Sequence, residues 1–169
     1  FGTQDNDRFH DLGYYWRDTN ISRPSYTNDQ IILPWILNAE DTENNKAYVR
    51  ATDLNGELLW ENLIGSYQTL ATATDQNGDI YIAWSSKEPT KTSKIGKFDT
   101  NGELLWEASP HENHTIFDMV VIDDKIYTAG GAGGYKAGVI YSLSTDDGSI
   151  HWKSVQRNPI SLFLDIETD

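Results

Sequence analysis

The sequence predicts an all-β fold, a partial β-propeller of about three complete four-stranded antiparallel blades plus one extra strand. Two observations predict it. The run Asn-Gly-Glu-Leu-Leu-Trp-Glu occurs at Asn55–Glu61 and again at Asn101–Glu107, and a degenerate copy, Asp-Gly-Ser-Ile-His-Trp-Lys, at Asp147–Lys153, with a spacing of 46 residues both times. Gly56, Gly102 and Gly148 therefore share one register and Trp60, Trp106 and Trp152 another, without a gap. Between these marks lie short apolar runs rich in β-branched and aromatic residues, bounded by Gly, Asn and Asp, and no amphipathic helical pattern. A repeat of this length made only of strands is the mark of a propeller blade.

Four strands fit each unit. In the second unit they are Leu70–Thr74, Asp79–Trp84, Ile95–Asp99 and Glu103–Glu107. Asn77-Gly78 joins the first pair and Asn101-Gly102 the last, dipeptides that supply the positive φ of tight hairpins. The counterparts of the first strand are Ile116–Val120 and Leu162–Ile166, and Lys125–Gly130 answers to the second. In the first unit Ile31–Ile36 takes the second place and Tyr48–Thr52 the third, which sends the first strand back to Phe9–Tyr14 and leaves residues 15–29 as an inserted rim loop. The blades then span about 1–61, 66–107 and 112–153, and a fourth begins at about 158–169. Leu162–Ile166 is an inner strand without its own sheet, and an unpaired apolar edge invites association. The chain starts at Phe1 rather than Met and holds about three and a half units, so a piece of a larger propeller, or a partial one completed by another chain, is expected.

Charge narrows the partners. The 169 residues carry 26 acidic and 13 basic side chains, a net −13 with no basic stripe, which disfavours nucleic acid and anionic membrane surfaces. No apolar run reaches the roughly 20 residues of a membrane-spanning helix. There is no cysteine, so the redox compartment stays open. Asn20-Ile-Ser22 and Asn113-His-Thr115 match the glycosylation acceptor pattern. Abundant Asn, Thr, Trp and Tyr with few Lys suit an extracellular, cell-surface or periplasmic location.

The blade marks also carry a resemblance. Asp99-Thr-Asn-Gly-Glu-Leu-Leu-Trp106 and Ser144-Thr-Asp-Asp-Gly-Ser-Ile-His-Trp152 resemble the Asp-x-x-(Thr)-Gly-x-x-x-Trp signature of pyrroloquinoline-quinone-like propellers. The segment Phe1–Leu12 is similar to the Gly-Gly-x-x-x-Asp link, and Asp75–Ile82 to the Asp-x-x-Gly-Asn-x-Tyr hairpin, of bacterial and archaeal β-propeller repeats found in large exported proteins. The resemblance covers nearly the whole chain outside 15–29. It implies the scaffold rather than an activity, because these families include dehydrogenases, assembly scaffolds and adhesive proteins. Quinoprotein dehydrogenases carry a calcium site, a catalytic Asp and often a vicinal disulfide, which a chain without cysteine cannot form.

Candidate residues fall into three groups. Gly56, Gly102, Gly148, Trp60, Trp106 and Trp152 recur in each unit, and a recurring residue serves the repeat as a packing anchor. A ligand contact belongs instead to residues that differ between blades: Tyr14, Tyr15 and Trp16 at the loop entrance, and Trp84, which aligns with Asn38 and Gly130. Asp75, Asn77 and Asp79 are a weak calcium candidate, short of the six to eight oxygens a full site needs. No cofactor and no catalytic set is read. Ser144–Gly148 begins like a sialidase Asp box but spaces its Trp differently, and the five arginines, Arg8, Arg17, Arg23, Arg50 and Arg157, are few for binding a substrate carboxylate. His111 and His114 are placed in an inter-blade loop without the metalloprotease spacing, and Gly130–Gly134 in a loop between strands.

These readings predict a non-catalytic interaction or scaffold module that binds protein or glycan through its rim loops. The alternatives are a fragment of a quinoprotein-type dehydrogenase, and a structural subunit that assembles by strand pairing through 162–166.

Overall fold

Turn chemistry sets the architecture. Gly56, Gly78, Gly102 and Gly148 all sit at positive φ, between 71° and 88°, where an L side chain would be strained. In three of the four turns an Asp five residues ahead of the next strand closes the loop. Asp53 Oδ1 accepts from the backbone N–H of Asn55 and Glu57, Asp75 Oδ1 from Asn77 and Asp79, and Asp99 Oδ1 from Asn101 and Glu103, all within 2.8–3.0 Å. These are side-chain mimics of a backbone turn. Each reverses the chain and fixes which faces of its two strands align.

The computed structural model describes residues 20–21, 24–37, 46–65, 69–85, 92–112, 114–132 and 137–156. They form thirteen strands and no helix. The first sheet orders β2 (Ser25–Tyr26), β3 (Gln30–Leu37), β4 (Lys46–Asp53) and β5 (Leu58–Gly65) as an antiparallel meander. The second repeats it with β6 (Thr69–Thr74), β7 (Ile80–Ser85), β8 (Thr92–Phe98) and β9 (Leu104–Glu112), and the third with β10 (His114–Ile122), β11 (Lys125–Ala132), β12 (Ala137–Ser144) and β13 (Ile150–Gln156). β1 (Asn20–Ile21) adds to the inner edge of the second sheet, parallel to β6, with Ile21 opposite Leu70.

The core lies between the sheets, and strand alternation assigns the two faces of the middle one. Ile80, Ile82 and Trp84 turn toward the first sheet and pack with Ile32, Val49 and Leu70. Tyr81, Ala83 and Ile95 turn toward the third and pack with Ile116, Ile126 and Val139. All six residues of β7 are buried, as a strand covered on both faces requires. Each fully buried Ile or Leu contributes about 1.5–3 kcal/mol relative to exposure.

The first unit departs from the expected layout. The strand expected at Phe9–Tyr14 lies outside the described residues. The inner place is taken by β2, within the segment 15–29 read as a loop. One period back from Leu70–Thr74 lands at Pro24–Asn28, so the repeat itself pointed there. Arg23-Pro24 and Asn20-Ile-Ser22, which read as loop chemistry, hid a strand only two residues long. β3 is also displaced along its partner: Ile31 faces Thr52 where Ile80 faces Phe98. The counterpart of Trp84 is therefore Trp35 rather than Asn38, each opposite an aligned residue of the third strand, Lys94 and Tyr48.

Two further segments are strand where loop was expected. His111 and His114 lie in the backbone ladders of β9 and β10. β11 runs on through Gly130 and Gly131 to Ala132, paired on both sides. The extra strand expected at Leu162–Ile166 lies outside the described residues.

Burial gives the fold an alkaline limit. The hydroxyls of Tyr81 and Tyr141 are pushed from 10.0 up to about 12, mainly because burial penalises the phenolate. Beside Tyr81, burial disfavours the charged form of Lys97, but hydrogen bonds to Asp79 and Tyr81 outweigh it and raise its pKa. A raised tyrosine stays protonated in the folded state after the unfolded chain has ionised. Its contribution is thus full below pH 10 and is lost as pH climbs to about 12. Urea midpoints followed across that interval should fall, and Tyr141→Phe should make the decline shallower. An unchanged slope in the variant would exclude Tyr141 as a cause.

Candidate functional site

The first–second and third–fourth turns of every unit open on the same rim, so neighbouring blades bring their hairpins side by side. Two junctions are built alike there. Trp60 Nε1 donates to Thr100 O at 3.0 Å, and Asn62 Nδ2 to Gly102 O at 2.7 Å. One blade on, Trp106 Nε1 donates to Thr145 O at 3.1 Å. A Cβ on Gly102 would come within 2.8 Å of the Trp60 ring, and one on Gly148 within 2.8 Å of the Trp106 ring. Each glycine thus answers two demands: its φ closes its own hairpin, and its bare face receives the indole of the preceding blade. Trp152 and Gly56 are placed differently. Trp152 is 46% exposed, and nothing lies within 4 Å of where a Gly56 Cβ would be.

Between the turns of the first two blades lies an open cleft of about 680 Å³. Tyr26, Asn28, Asp29 and Leu54 line it from the first blade, Gln76 and Asn77 from the second. Tyr26 is 75% exposed and Leu54 65%, so a large aromatic and a large aliphatic side chain stand beside amides and carboxylates. The walls are held by hydrogen bonds. Thr74 Oγ1 donates to Tyr26 O at 2.7 Å, and Gln30 Nε2 to Thr100 O at 3.0 Å. On the first blade Thr27 Oγ1 donates to Asp29 Oδ1 at 3.0 Å. The backbone N–H of Glu57 holds the Asp53 carboxylate on the flanking turn below its usual range, and that of Glu103 does the same for Asp99. The rim therefore offers apolar contact and hydrogen bonding in a negative field.

Of the aromatic residues singled out in the sequence, Trp84 is the one among the described residues, and it does not line this cleft. Tyr14, Tyr15 and Trp16 are outside the described residues. Trp84 is not a surface residue: it is 4% exposed and fills the space between the first two sheets. Asp75 Oδ1 is engaged with the turn amides and Oδ2 accepts from Tyr81 Oη at 3.1 Å, while Asp79 pairs with Lys97 at 2.8 Å. Among the described residues no cluster of three or more His, Cys, Asp or Glu comes together to hold a metal. Arg50 pairs with Glu61 at 2.7 Å and lies over the Trp35 ring. Of the cleft residues, Leu54 carried a signal in the sequence, since Thr100 and Asp146 occupy its place in the other turns. Tyr26 sat inside the presumed loop.

Comparison with solved structures decides the architecture. The chain is similar to the β-propeller domain of the Trilobed protease from Pyrococcus furiosus, at 13% identity and a TM-score of 0.56, covering 80% of this chain and 42% of that one. The fold is a partial β-propeller. The propeller is likewise similar to an acylaminoacyl peptidase, at 12% identity and a TM-score of 0.55, covering 85% of this chain and 26% of that one. BamB from Moraxella catarrhalis, a looser match, has a TM-score of 0.35 at 14% identity, covering 83% and 51%. The chain spans less than two thirds of each of these structures. No family model and no curated protein matches the sequence. Among the described residues, no helix is long and apolar enough to cross a membrane.

Proposed function

We propose that this propeller is a non-catalytic interaction module of an exported or cell-surface protein, and that the rim cleft between its first two blades is where it binds. The observation that carries the reading is the pairing of exposed Tyr26 and Leu54 with Asn28, Gln76 and Asn77 around one concavity. Such sites combine apolar area with a few polar groups that fix orientation. Asp29 and Asp75 on the walls oppose anionic ligands. That favours neutral oligosaccharides and neutral or basic peptide segments.

The test is a binding screen of the chain against neutral oligosaccharides and basic and neutral peptides, read by chemical-shift change. One of these classes should perturb the cleft residues. The double variant Tyr26→Ser, Leu54→Ser should lose at least about tenfold in affinity while its melting temperature stays within a few degrees. No binding in either class, or binding indifferent to both substitutions, would overturn the reading.

A further inference from the structure

The two outer faces of the three-blade stack repeat the two faces of the middle blade. Toward the third blade, the middle one presents Tyr81, Ala83, Ile95 and Trp106. The third blade's far face, which no described sheet covers, carries the corresponding set, Tyr127, Ala129, Ile140 and Trp152. Strand register fixes the match: Ala83 opposes Ile95 as Ala129 opposes Ile140. The Tyr81 and Trp106 rings lie tilted at 6.3 Å, Tyr127 and Trp152 at 6.1 Å. In the middle blade the pair is covered; in the third it stands half open.

At the other end, the middle blade meets the first through Ile80, Ile82, Trp84 and the Gly102 turn. The first blade's far face, which no described sheet covers, carries Ile31, Leu33, Trp35 and the Gly56 turn, with one departure: Arg50, over the Trp35 ring, stands where the middle blade has Gly96. That turn copies its counterpart in sequence, Asn55-Gly-Glu-Leu-Leu-Trp against Asn101-Gly-Glu-Leu-Leu-Trp, in φ, 88° against 83°, and in its Asp-capped hydrogen bonds. Each free face also holds one polar atom shut off from solvent with no partner among the described residues, Trp35 Nε1 and Ser142 Oγ. One end thus displays an indole without a turn, and the other a turn without an indole.

We propose that the two ends are the halves of one junction, and that a second copy of this chain fills it head to tail. Trp152 of each copy seats on the Gly56 face of its partner as Trp60 seats on Gly102, its Nε1 donating to the Leu54 carbonyl, the position held by Thr100 in the first internal junction. Ser154, in the place of Asn62, stands ready to donate to Gly56 O. Twice three blades make six, within the roughly 4 to 8 at which propellers close. A two-fold axis then generates both junctions.

Light scattering and sedimentation of the 169-residue chain test this. The expected mass is twice the 19.1 kDa of one chain, with no higher species. Trp152→Ala should weaken the dimer by about 30-fold or more, as the loss of a central interface Trp does. Gly56→Asn should do the same, since Asn tolerates positive φ while its side chain occupies the face the indole needs. Tyr26→Ser, in the rim cleft, should leave the mass unchanged. Mixing the two junction variants should restore association, because one of the two junctions in the mixed dimer is then wholly native. A monomer at all concentrations, an open-ended ladder of species, a dimer indifferent to both variants, or variants that fail to complement would each overturn the proposal.

Discussion

Trp106→Ala should cost about 3–5 kcal/mol, whereas Trp152→Ala, at a concentration low enough to hold the chain monomeric, should cost under about 1 kcal/mol. The two residues occupy the same place in the repeat and differ only in what lies beyond them. Trp106 donates to Thr145 O, packs on the bare face of Gly148 and adjoins the core between the second and third sheets. Removing it leaves a hole that the two sheets cannot close, because their separation is set by the other side chains of that core, and it strips Thr145 O of a donor. Among the described residues, Trp152 loses its contact with Tyr127 and the strand beneath. For a chain of this size the first variant should melt roughly 10 °C lower, the second almost unchanged. Equal melting temperatures, read by circular dichroism on matched dilute samples, would show that the indole works within its own blade and not across the junction.

That contrast also marks what the sequence could and could not convey. The period, the positive-φ glycines and the strand runs were legible because each depends on local chemistry: Asn-Gly makes a hairpin whatever surrounds it, and Ile80-Tyr-Ile-Ala-Trp84 is a short β-branched and aromatic run bounded by turn residues. The two-residue strand at Ser25–Tyr26 was not, because its pairing with Ile31 and Ile32 is tertiary and its own residues favour turns. Trp84 illustrates the same limit. Its difference from Gly130 in the gapless alignment suggested a surface role, but β3 slides along β4 and gives Trp84 and Trp35 one register, and Trp84 is buried between the first two sheets while Trp35 is half-buried on the first blade's far face. The rim cleft was invisible for a further reason. Tyr26, Leu54 and Asn77 belong to three separate hairpins, and only the stacking of blades sets those turns side by side.

Gly130→Ala should be the most damaging single methyl in the third blade. Gly130 opposes Ile116, next to the register shift between Ile116 and Asp118, where β10 carries one residue more than β11. This bulge drives the Thr115 carbonyl toward β11. A Cβ on Gly130 would stand 2.0 Å from Thr115 O, 3.0 Å from its carbonyl carbon and 3.3 Å from Ile116 Cα. All three are backbone atoms, so no rotamer change relieves the clash; the strands must part. Parting them disturbs two things at once. The ladder around Ile116 opens, and Ile116 N–H, which donates to Ser85 Oγ of the second sheet at 3.3 Å, is displaced together with the Ile116 side chain in the inter-sheet core. Overpacking usually costs about 1–3 kcal/mol, and a backbone collision belongs at or above the top of that range. Thermal melting should therefore fall by roughly 10 °C, with amide exchange accelerated first in β10 and β11. A variant that melts with the parent would mean that β10 and β11 separate freely at this point, and that the strand does not run through Gly130 as described.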